Sequence, residues 1–472
     1  MGADGEEHQP QAFALAPREG ARMRGLSAFQ AVSLAGLVAL LAWAATAQAA
    51  SMAGALVVAL HLAFTVCAVW RIVLVLASRR PAPSAPTPAV WPTYTVLAAL
   101  YDEAEVLPQL VGHLSKLDYP ADRLEGYLVL EAHDHATRAA VERLARPDWL
   151  RILIVPPGSP QTKPRALNHA LARARGEVIT VYDAEDAPEP GQLREAAARF
   201  VADPSGRLAC VQAPLRIRRH GPGQSPFLDR QFALEYAALF EVTLPGMARL
   251  GLPFPLGGTS NHFRADVLRA VGGWDAHNVT EDADLGFRLW RHGHRLDVIR
   301  TPTWETPPGG LEDWLPQRLR WIKGFMQTWG VHTRRPWELG LRGGLSLVMT
   351  LGMALASAAI HAPSVALVAS AVLTALAAGL TPATPIMALG VLTGGTVAAW
   401  ISAGIGAHRA GLAYGPRAMA EAPAYWSLLT LAFALAAWRL IRDPFGWDKT
   451  RHRPDLPAEA GPGAAAGPIS AA

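Results

Sequence analysis

The stretch Glu177-Val-Ile-Thr-Val-Tyr-Asp183-Ala-Glu185-Asp186 decides the fold class of this chain. Its apolar, β-branched run ends in three carboxylates, and Pro188 and Pro190 follow, through which no strand continues. In a parallel α/β sheet, ligands lie just beyond the carboxyl ends of the strands. Three acids at such an edge repel one another, and a hard divalent cation with oxygen ligands is the usual remedy. The stretch therefore predicts a strand end with a metal site, and the alternative is a solvated acidic loop.

Short strands and helices alternate on both sides of this stretch. The sequence predicts strands over 94–99, 127–130, 152–155, 178–182 and 208–212, and helices over 104–117, 138–144, 164–175 and 191–201. Such alternation indicates βαβ units and a mostly parallel sheet. The polar residues 101–103, 131–134 and 183–186 follow three of these strands, which is where such sheets carry their sites.

The two ends of the chain are hydrophobic, and 51% of all residues are apolar. Residues 26–50 and 51–69 carry no charge, so each run is long enough to cross about 30 Å of hydrocarbon. Arginines flank this pair on the same side, which predicts that the middle of the chain lies in the cytosol. Ala47-Gln48-Ala49 resembles a signal-peptidase site, so cleavage after a single span is the alternative.

Hydrophobic spans return over 343–440, with breaks at His361-Ala-Pro363 and at 381–385. This pattern predicts four spans, which would return the basic residues after 438 to the cytosol. Arg409 and Arg417 would then lie outside, so three spans with an interfacial segment remain an alternative.

Charge and cysteine content exclude several classes of protein. The formal net charge is +4, and no Lys/Arg run interleaved with aromatic residues indicates a nucleic-acid partner. Cys67 and Cys210 stand far apart, so they predict neither a disulfide framework nor a metal site.

Three further polar groups follow the acidic strand end. Gly257-Gly258 opens a polar loop that permits close approach of a ligand, although glycine pairs also form ordinary turns. Thr280-Glu281-Asp282 opens a helix, where acids are often only partners of the helix dipole. Residues 311–329 read as a helix with three tryptophans, which suits either a membrane surface or a protein core. Its Gln317, Arg320 and Trp321 share one face, where an arginine can grip a diphosphate and an indole can stack on a sugar.

Taken in order, these groups resemble a known family. Asp183-Ala-Glu185, Thr280-Glu281-Asp282 and Gln317-Arg-Leu-Arg320-Trp321 resemble the D, DxD, TED and QxxRW signature of membrane-embedded family 2 glycosyltransferases, the cellulose synthase and hyaluronan synthase type. The resemblance covers about residues 93–335 and includes Tyr101-Asp-Glu103 and Lys163-Pro-Arg-Ala-Leu-Asn168. It implies an α/β fold of GT-A type, a mixed and mostly parallel sheet inserted between N-terminal and C-terminal bundles of transmembrane helices.

The resemblance also implies a role for each matching residue. Mg²⁺ or Mn²⁺ would be held by Asp183, Glu185 and Asp186 against the donor diphosphate. Asp282 would be the general base, with Glu281 beside it. The donor would contact Tyr101, Glu103, Glu131, Asp134, Lys163 and Arg320. The acceptor would contact Gln317, Trp321 and Thr280.

These observations divide the chain into a series of segments. We expect a cytosolic N-terminal segment at 1–25, two transmembrane helices at 26–78, a Pro-rich linker at 79–92, a cytosolic GT-A glycosyltransferase domain at 93–310, an amphipathic interfacial helix at 311–335, three to four transmembrane helices at 343–441 and a cytosolic, partly disordered tail at 442–472. The expected location is a bacterial-type inner membrane, with several spans and a cytosolic catalytic domain.

The sequence favours an inverting glycosyltransferase that uses a nucleotide sugar, with a UDP-sugar as the favoured donor. Its acceptor is expected to be a growing glycan, in the synthesis of a β-linked polysaccharide, and the alternative is a membrane lipid that receives one sugar. A catalytically inactive sugar-binding scaffold is the alternative from another class, but the intact set of acids argues against it. A transporter is a third interpretation, and the near absence of intramembrane charges disfavours it.

Overall fold

The computed structural model describes residues 15–23, 25–47, 49–79, 85–218, 226–379 and 383–446. Its strands are β1 Tyr94–Leu100, β2 Leu124–Glu131, β3 Leu150–Val155, β4 Val178–Tyr182, β5 Ala187–Pro188, β6 Leu208–Gln212, β7 Leu215–Ile217, β8 Asn261–Arg264, β9 Arg295–Val298 and β10 Thr303–Glu305. Its helices are α1 Ala28–Ala47, α2 Ala49–Ala77, α3 Leu107–Leu114, α4 His135–Glu142, α5 Lys163–Leu171, α6 Gln192–Val201, α7 Pro226–Ala238, α8 Leu244–Arg249, α9 Ala265–Ala270, α10 Glu281–Arg291, α11 Leu311–His332, α12 Gly340–Leu347, α13 Met353–Ala377, α14 Ala383–Ala410 and α15 Pro416–Arg442. The first 14 residues, part of the Pro-rich linker and the tail after residue 446 lie outside the described residues.

A seven-stranded sheet in the order β3-β2-β1-β4-β8-β6-β9 forms the centre of the described catalytic region. β1 pairs in parallel with β2 and β4, and the β2–β3 and β6–β9 pairs are also parallel. Its two faces carry separate apolar clusters, one including Leu97 with Leu167 of α5 and the other Val96 with Leu110 of α3. Helices on both faces explain why every residue of β4 is buried. The predicted mixed, mostly parallel sheet is confirmed.

The antiparallel strand β8 brings a glycine loop to the end of β4. Val181 of β4 lies opposite Asn261 of β8, and the Ser260 N–H donates to the Val181 carbonyl at 2.8 Å. Because β8 runs against β4, the residues that precede β8 lie at the carboxyl end of β4. The loop 257–259 therefore lies beside Asp183.

Three helices of the described residues are long and apolar enough to cross a membrane, Pro336–Ala377, Leu389–Ala410 and Pro416–Arg442. The prediction of a break at His361-Ala-Pro363 is wrong, because α13 continues through Pro363. The Ala362 N–H donates to the Thr430 hydroxyl of α15 at 3.3 Å, and such neighbouring groups allow a proline inside a membrane helix. The described residues after 335 therefore hold three apolar helices instead of four.

α15 lies along α11 instead of leaving the catalytic region. Near its start, Glu421 pairs with Arg230 of α7 at 2.7 Å. Just past its end, the Gly446 carbonyl accepts from Lys323 of α11 at 2.6 Å. Between these points Ile322 of α11 packs against Ala432 and Ala436. Both ends of α15 thus contact the catalytic region.

The outer face of α15 is apolar as well. Its exposed large side chains are Leu431, Leu435, Trp438 and Ile441. A helix that buries small residues against protein and exposes an apolar stripe suits the surface of a bilayer. With α15 at the surface, two of the apolar helices after residue 335 would cross the membrane, one fewer than in the three-span alternative from the sequence.

Candidate active site

The turn after β4 holds two acids in different environments. Asp183 lines a cavity of about 780 Å³, whereas Asp186 is fully buried beneath it. The Asp186 carboxylate accepts the Asp183 N–H at 2.7 Å and the hydroxyl of Thr259. Asp186 therefore fixes the turn that presents Asp183. Asp186 does not line the cavity, and its Oδ2 accepts both of these hydrogen bonds, so its role as a metal ligand stays a prediction.

Lys163, at the start of α5, connects the two catalytic loops. Its ammonium pairs with the Asp183 carboxylate and donates to the Gly258 carbonyl at 2.8 Å. A Cβ atom at Gly258 would lie 3.6 Å from Asp282 Oδ2, so the glycine loop runs directly beside the first turn of α10. Asp183 and Asp282 thus face the same cavity.

α11 holds the loop that precedes α10. The Gln327 side-chain oxygen Oε1 accepts the Val279 N–H at 3.1 Å, and the Asn278 side-chain amide donates to the Thr328 hydroxyl at 3.0 Å. Gly324, on the same helix, lies so close to Thr280 that a Cβ atom there would come within 2.8 Å of the Thr280 Cβ. The helix that carries Arg320 and Trp321 therefore also sets the position of Asp282.

This close contact yields a first prediction. Gly324→Ala should push the Thr280–Asp282 turn outward and lower kcat by about 10²-fold, because small displacements of a reacting group have effects of that size. Gly330→Ala is the matched control, since a Cβ atom there meets nothing within 4 Å and alanine favours a helix. Sugar-transfer rates of the two purified variants test this, and equal rates would contradict it.

Negative charge dominates the cavity next to these loops. Burial raises the pKa of Glu281 to about 7 and that of Asp282 to about 6, and neighbouring carboxylates reinforce both shifts. Burial, followed by repulsion from Asp186, raises the pKa of Glu305 well above its ordinary value. Buried acids whose pKa values rise together indicate a site that takes up positive charge.

Two partly buried cations, Lys163 and Arg320, neutralise only part of this negative charge. Burial works against the charged form of Lys163, but the nearby carboxylates, Asp183 first, raise its pKa overall. Burial lowers the pKa of Arg320, and the same carboxylates oppose that shift. Within the described ranges, no group of three or more His, Cys, Asp or Glu side chains converges as a metal cage. Asp183 and Glu185, which both line the cavity, fit a divalent ion whose remaining ligands are oxygens of a bound molecule.

A second acidic corner lies at the ends of β1 and β2. Tyr101, Glu103 and Glu131 line the cavity there. Asp134 does not, because its carboxylate accepts the N–H groups of Thr137 at 3.1 Å and Asp102 at 2.6 Å. Asp134 is the N-cap of α4, so the structure shows a structural role for it, and its predicted contact with the donor stays a prediction.

Arg165, which the sequence interpretation missed, does not line the cavity but holds Glu131, which does. Its Nη2 donates to both carboxylate oxygens of Glu131, at 2.9 and 2.7 Å. Arg165 lies in the first turn of α5, two residues after Lys163. The available signal was the arginine within Lys163-Pro-Arg165, because Glu131 at the end of β2 needs a positive partner.

The Arg165–Glu131 pair yields a second prediction. Arg165→Gln should raise the KM for the donor by about 10- to 100-fold, because it leaves a buried carboxylate without its charged partner. The double variant Arg165→Gln/Glu131→Gln should recover part of the loss, since neither charge then remains. Arg173→Gln, at an exposed position beyond the same helix, is the control. Donor titrations test this, and an unchanged KM in Arg165→Gln would contradict it.

The predicted acceptor face is held by a buried arginine that the sequence interpretation also missed. Arg318 donates to both carboxylate oxygens of Glu235, at 2.8 and 2.7 Å, and to the Tyr425 hydroxyl at 2.8 Å. Its guanidinium lies 4.5 Å from the centroid of the Trp321 ring. α7, α11 and α15 are thus joined behind Trp321, which fixes the plane of that ring.

The structure brings most of the predicted site residues to one cavity. Those that line it are Tyr101, Glu103, Glu131, Lys163, Asp183, Glu185, Thr280, Glu281, Asp282, Gln317, Arg320 and Trp321. The cavity extends from the acids to a space between α2, α13, α14 and α15, where Trp400, Trp426 and small apolar side chains line it. It joins a polar, acidic end to an apolar end.

A nucleotide-sugar fold and an acidic site of this kind define a class of enzyme. Residues 178–441 match the model of glycosyl transferase family group 2, and residues 95–240 match that of glycosyl transferase family 2. The chain belongs to glycosyltransferase family 2.

Known relatives of several kinds share part of this chain. It is 27% identical over 236 residues to the "Probable glycosyltransferase YdaM" of Bacillus subtilis, covering 49% of this chain and 55% of the relative. It is 28% identical over 246 residues to the "Beta-monoglucosyldiacylglycerol synthase" of Synechocystis, covering 50% and 48%. It is 29% identical over 262 residues to the "Cellulose synthase catalytic subunit [UDP-forming]" of Komagataeibacter sucrofermentans, covering 54% and 33%. The chain thus spans about half or less of the length of these curated relatives.

A solved structure shares the fold over more of the chain. The mannosyltransferase PcManGT from Pyrobaculum calidifontis, in complex with GDP-Man and Mn²⁺, has a TM-score of 0.53 at 20% identity and covers 82% of this chain and 99% of its own. The GT-A type of sheet domain, followed by apolar helices, is confirmed.

Proposed function

We propose that this protein transfers a sugar from a nucleoside-diphosphate sugar to a membrane-associated acceptor, with inversion at the anomeric carbon. The observation that carries this proposal is the link from Asp183 through Lys163 and Gly258 to Asp282 within one cavity. A leaving group needs neutralisation and an acceptor hydroxyl needs a base, and this link puts the two functions side by side.

On the donor side, Asp183 and Glu185 would hold Mg²⁺ or Mn²⁺, which supplies a Lewis acid for the departing diphosphate. Arg320 would bind diphosphate oxygens, as a guanidinium does well. Lys163, already balanced by Asp183, would place a second positive charge there. The nucleoside would lie against Tyr101 and the Glu131–Arg165 pair, and we favour a UDP-sugar.

On the acceptor side, Asp282 would take the proton of the attacking hydroxyl. As the new bond from the anomeric carbon to the acceptor oxygen forms, the bond to the diphosphate oxygen breaks and its electron pair leaves with the nucleoside diphosphate. Attack from the face opposite the leaving group inverts the anomeric carbon, so an α-linked donor gives a β-linked product. Glu281 lies beside Asp282, and burial raises the pKa of both carboxyls.

Trp321 would border the acceptor ring or headgroup, with Gln317 and Thr280 nearby. Its ring is braced by Arg318, and the space beyond it opens between the membrane helices. An acceptor that reaches the site from the bilayer would pass along this route.

The contacts at both ends of α15 support a four-crossing topology. α1 and α2 would form one hairpin, and α12–α13 with α14 a second, while α15 would lie at the cytosolic surface. Arg409 and Arg417 would then lie on the same side as the catalytic domain, as positive charges prefer. Both would be cytosolic in an inner-membrane protein.

We favour a membrane lipid as the acceptor over a growing polysaccharide. The membrane end of the cavity is lined largely by apolar side chains such as Leu392, Met353 and Leu429, which suits acyl chains better than hydrated sugars. Polysaccharide synthesis is the second candidate, because Trp400 and Trp426 in the same space could stack on sugar rings.

A reconstitution experiment tests the proposal. The purified full chain in detergent, with Mg²⁺ or Mn²⁺ and a panel of UDP- and GDP-sugars, should release nucleoside diphosphate only when lipid extract is added. The product should be extractable into organic solvent for a lipid acceptor and remain aqueous for a polymer. Binding of UDP without transfer to any acceptor would indicate an inactive sugar-binding scaffold instead.

A further inference from the structure

Arg71 is a charged residue inside an apolar helix. It lies in α2, six residues before the helix ends at Ala77, or roughly 9 Å along the axis. Its side chain is exposed and forms part of the cavity wall. A charge within an apolar helix that faces an internal cavity is costly to keep there, and such residues usually serve a function.

No carboxylate in the described part of the chain pairs with Arg71. The nearest candidate is Glu235 of α7, which also lines the cavity. Both oxygens of Glu235 are occupied, by the two nitrogens of Arg318 and by the Tyr425 hydroxyl at 2.6 Å. Glu235 attracts Arg71, but it is already paired with Arg318, so one carboxylate faces two guanidinium groups and a net positive charge remains at the cavity.

The charge of the cavity is unevenly distributed. Among the described lining residues of α2, α13, α14 and α15, Arg71 is the one Asp, Glu, Lys or Arg side chain. The catalytic end, in contrast, carries the acids around Asp183 and Asp282. A ligand that spans the two ends would meet mostly apolar walls and Arg71 at one end and the acids at the other.

We propose that Arg71 binds the phosphodiester of an anionic lipid acceptor whose headgroup carries a free hydroxyl. This inference rests on the proposed function and specifies its acceptor. The acyl chains would lie between the membrane helices and the phosphodiester at Arg71, while the headgroup hydroxyl would reach Asp282. Transfer would form the bond from the headgroup oxygen to the anomeric carbon, release the nucleoside diphosphate and give the hydroxyl proton to Asp282.

A neutral acceptor has no negative group that could pair with the Arg71 guanidinium. Diacylglycerol and a neutral glucan both lack an anion, so either would leave the guanidinium without a partner in a largely apolar space. A phosphodiester accepts charge-assisted hydrogen bonds from arginine in the geometry that the guanidinium prefers.

Lipid binding measured without turnover is the first test. The full chain in a neutral maltoside detergent is titrated with phosphatidylglycerol or with diacylglycerol of the same acyl chains, and bound lipid is counted by native mass spectrometry. Arg71→Gln should weaken phosphatidylglycerol binding by about 10- to 100-fold, and Arg71→Lys by less. Arg79→Gln, which removes an exposed charge that does not line the cavity, should bind as the wild type does.

Several results would overturn the proposal. They are equal binding of the two lipids by the wild type, unchanged binding in Arg71→Gln, or displacement of the lipid by soluble glycerol phosphate, which would mean that a free phosphate ester suffices. UDP titration of the same preparations serves as the fold check and should show no change in Arg71→Gln; a parallel loss of UDP binding would count against a specific lipid site. Absence of UDP binding in the wild type would instead refute the proposed function.

Kinetics give the second test. With phosphatidylglycerol as acceptor, Arg71→Gln should raise the acceptor KM and leave the donor KM unchanged. If Arg71→Gln changes only the donor KM, Arg71 binds the diphosphate of the donor instead of the lipid, and the proposal is wrong.

Discussion

Asp282→Asn should abolish sugar transfer while donor binding stays close to that of the wild type. The substitution keeps the size of the side chain and its place in the first turn of α10, but it removes the group that accepts the hydroxyl proton. General bases contribute about 10²- to 10⁴-fold to rates, so kcat should fall by that factor. Product formation from a labelled donor measures the first effect, and UDP titration measures the second.

Two features of the structure sharpen this experiment. Asp282 lies beside the glycine loop that Lys163 joins to Asp183, so a variant that disturbed this loop would lose UDP binding as well. Asp266→Asn is the matched control, since Asp266 is an exposed acid on α9, outside the cavity wall. Retained transfer in Asp282→Asn would show that Asp282 is not the base, and lost UDP binding would show that Asp282 acts on the donor site through the loop.

Much of this architecture is predictable from the sequence, because most strands of the sheet appear as short, local apolar runs. β4 and β6 have the predicted bounds, since each is a fully buried apolar run. β2 begins at Leu124, earlier than predicted, because its first residues include a polar one, Glu125. β8 was not predicted at all, since Asn261–Arg264 is short and polar and owes its strand conformation to pairing with β4 and β6.

The sequence predicted which residues belong to the candidate site, but not which of their side chains face the cavity. Twelve of the fourteen predicted residues line one cavity, and the two exceptions are acids that bond to backbone N–H groups. Asp134 had a local signal, because an acid just before a helix is often its cap. Asp186 had none, since its second partner, Thr259, lies 73 residues further along the chain.

α15 shows why composition does not determine how a helix meets a membrane. Its sequence is apolar enough to cross a bilayer. What distinguishes it is the size of the side chains on each face: Ala432 and Ala436 pack inward on α11, while Leu431 and Trp438 point out. That difference follows from tertiary contacts with a helix over a hundred residues away, and the sequence pattern alone does not reveal it.

Asp183→Ala should remove the metal dependence of donor binding. In the wild type, Mg²⁺ or Mn²⁺ should tighten UDP binding, because the ion links the carboxylates to the diphosphate. Without Asp183, Glu185 alone holds too few oxygens for a hard cation, and Lys163 loses its carboxylate partner. We expect UDP binding with metal to fall to the level seen with a chelator, and transfer to fall by about 10³-fold or more, as when a charge-stabilising group is lost.

The control for this variant lies at the opposite end of the same strand. Glu177 precedes β4 and binds the Thr93 N–H at 2.8 Å, so Glu177→Gln removes one acid from the amino end and leaves the cavity intact. It should keep the metal response of the wild type. Asp186→Asn separates turn geometry from chelation: the amide can still accept the Asp183 N–H, so metal-dependent UDP binding should persist, weakened only as far as the turn shifts. The opposite result would be a wild-type metal response in Asp183→Ala and its loss in Asp186→Asn. It would show that the ion binds the buried Asp186 carboxylate, and the roles assigned to these two acids would be reversed.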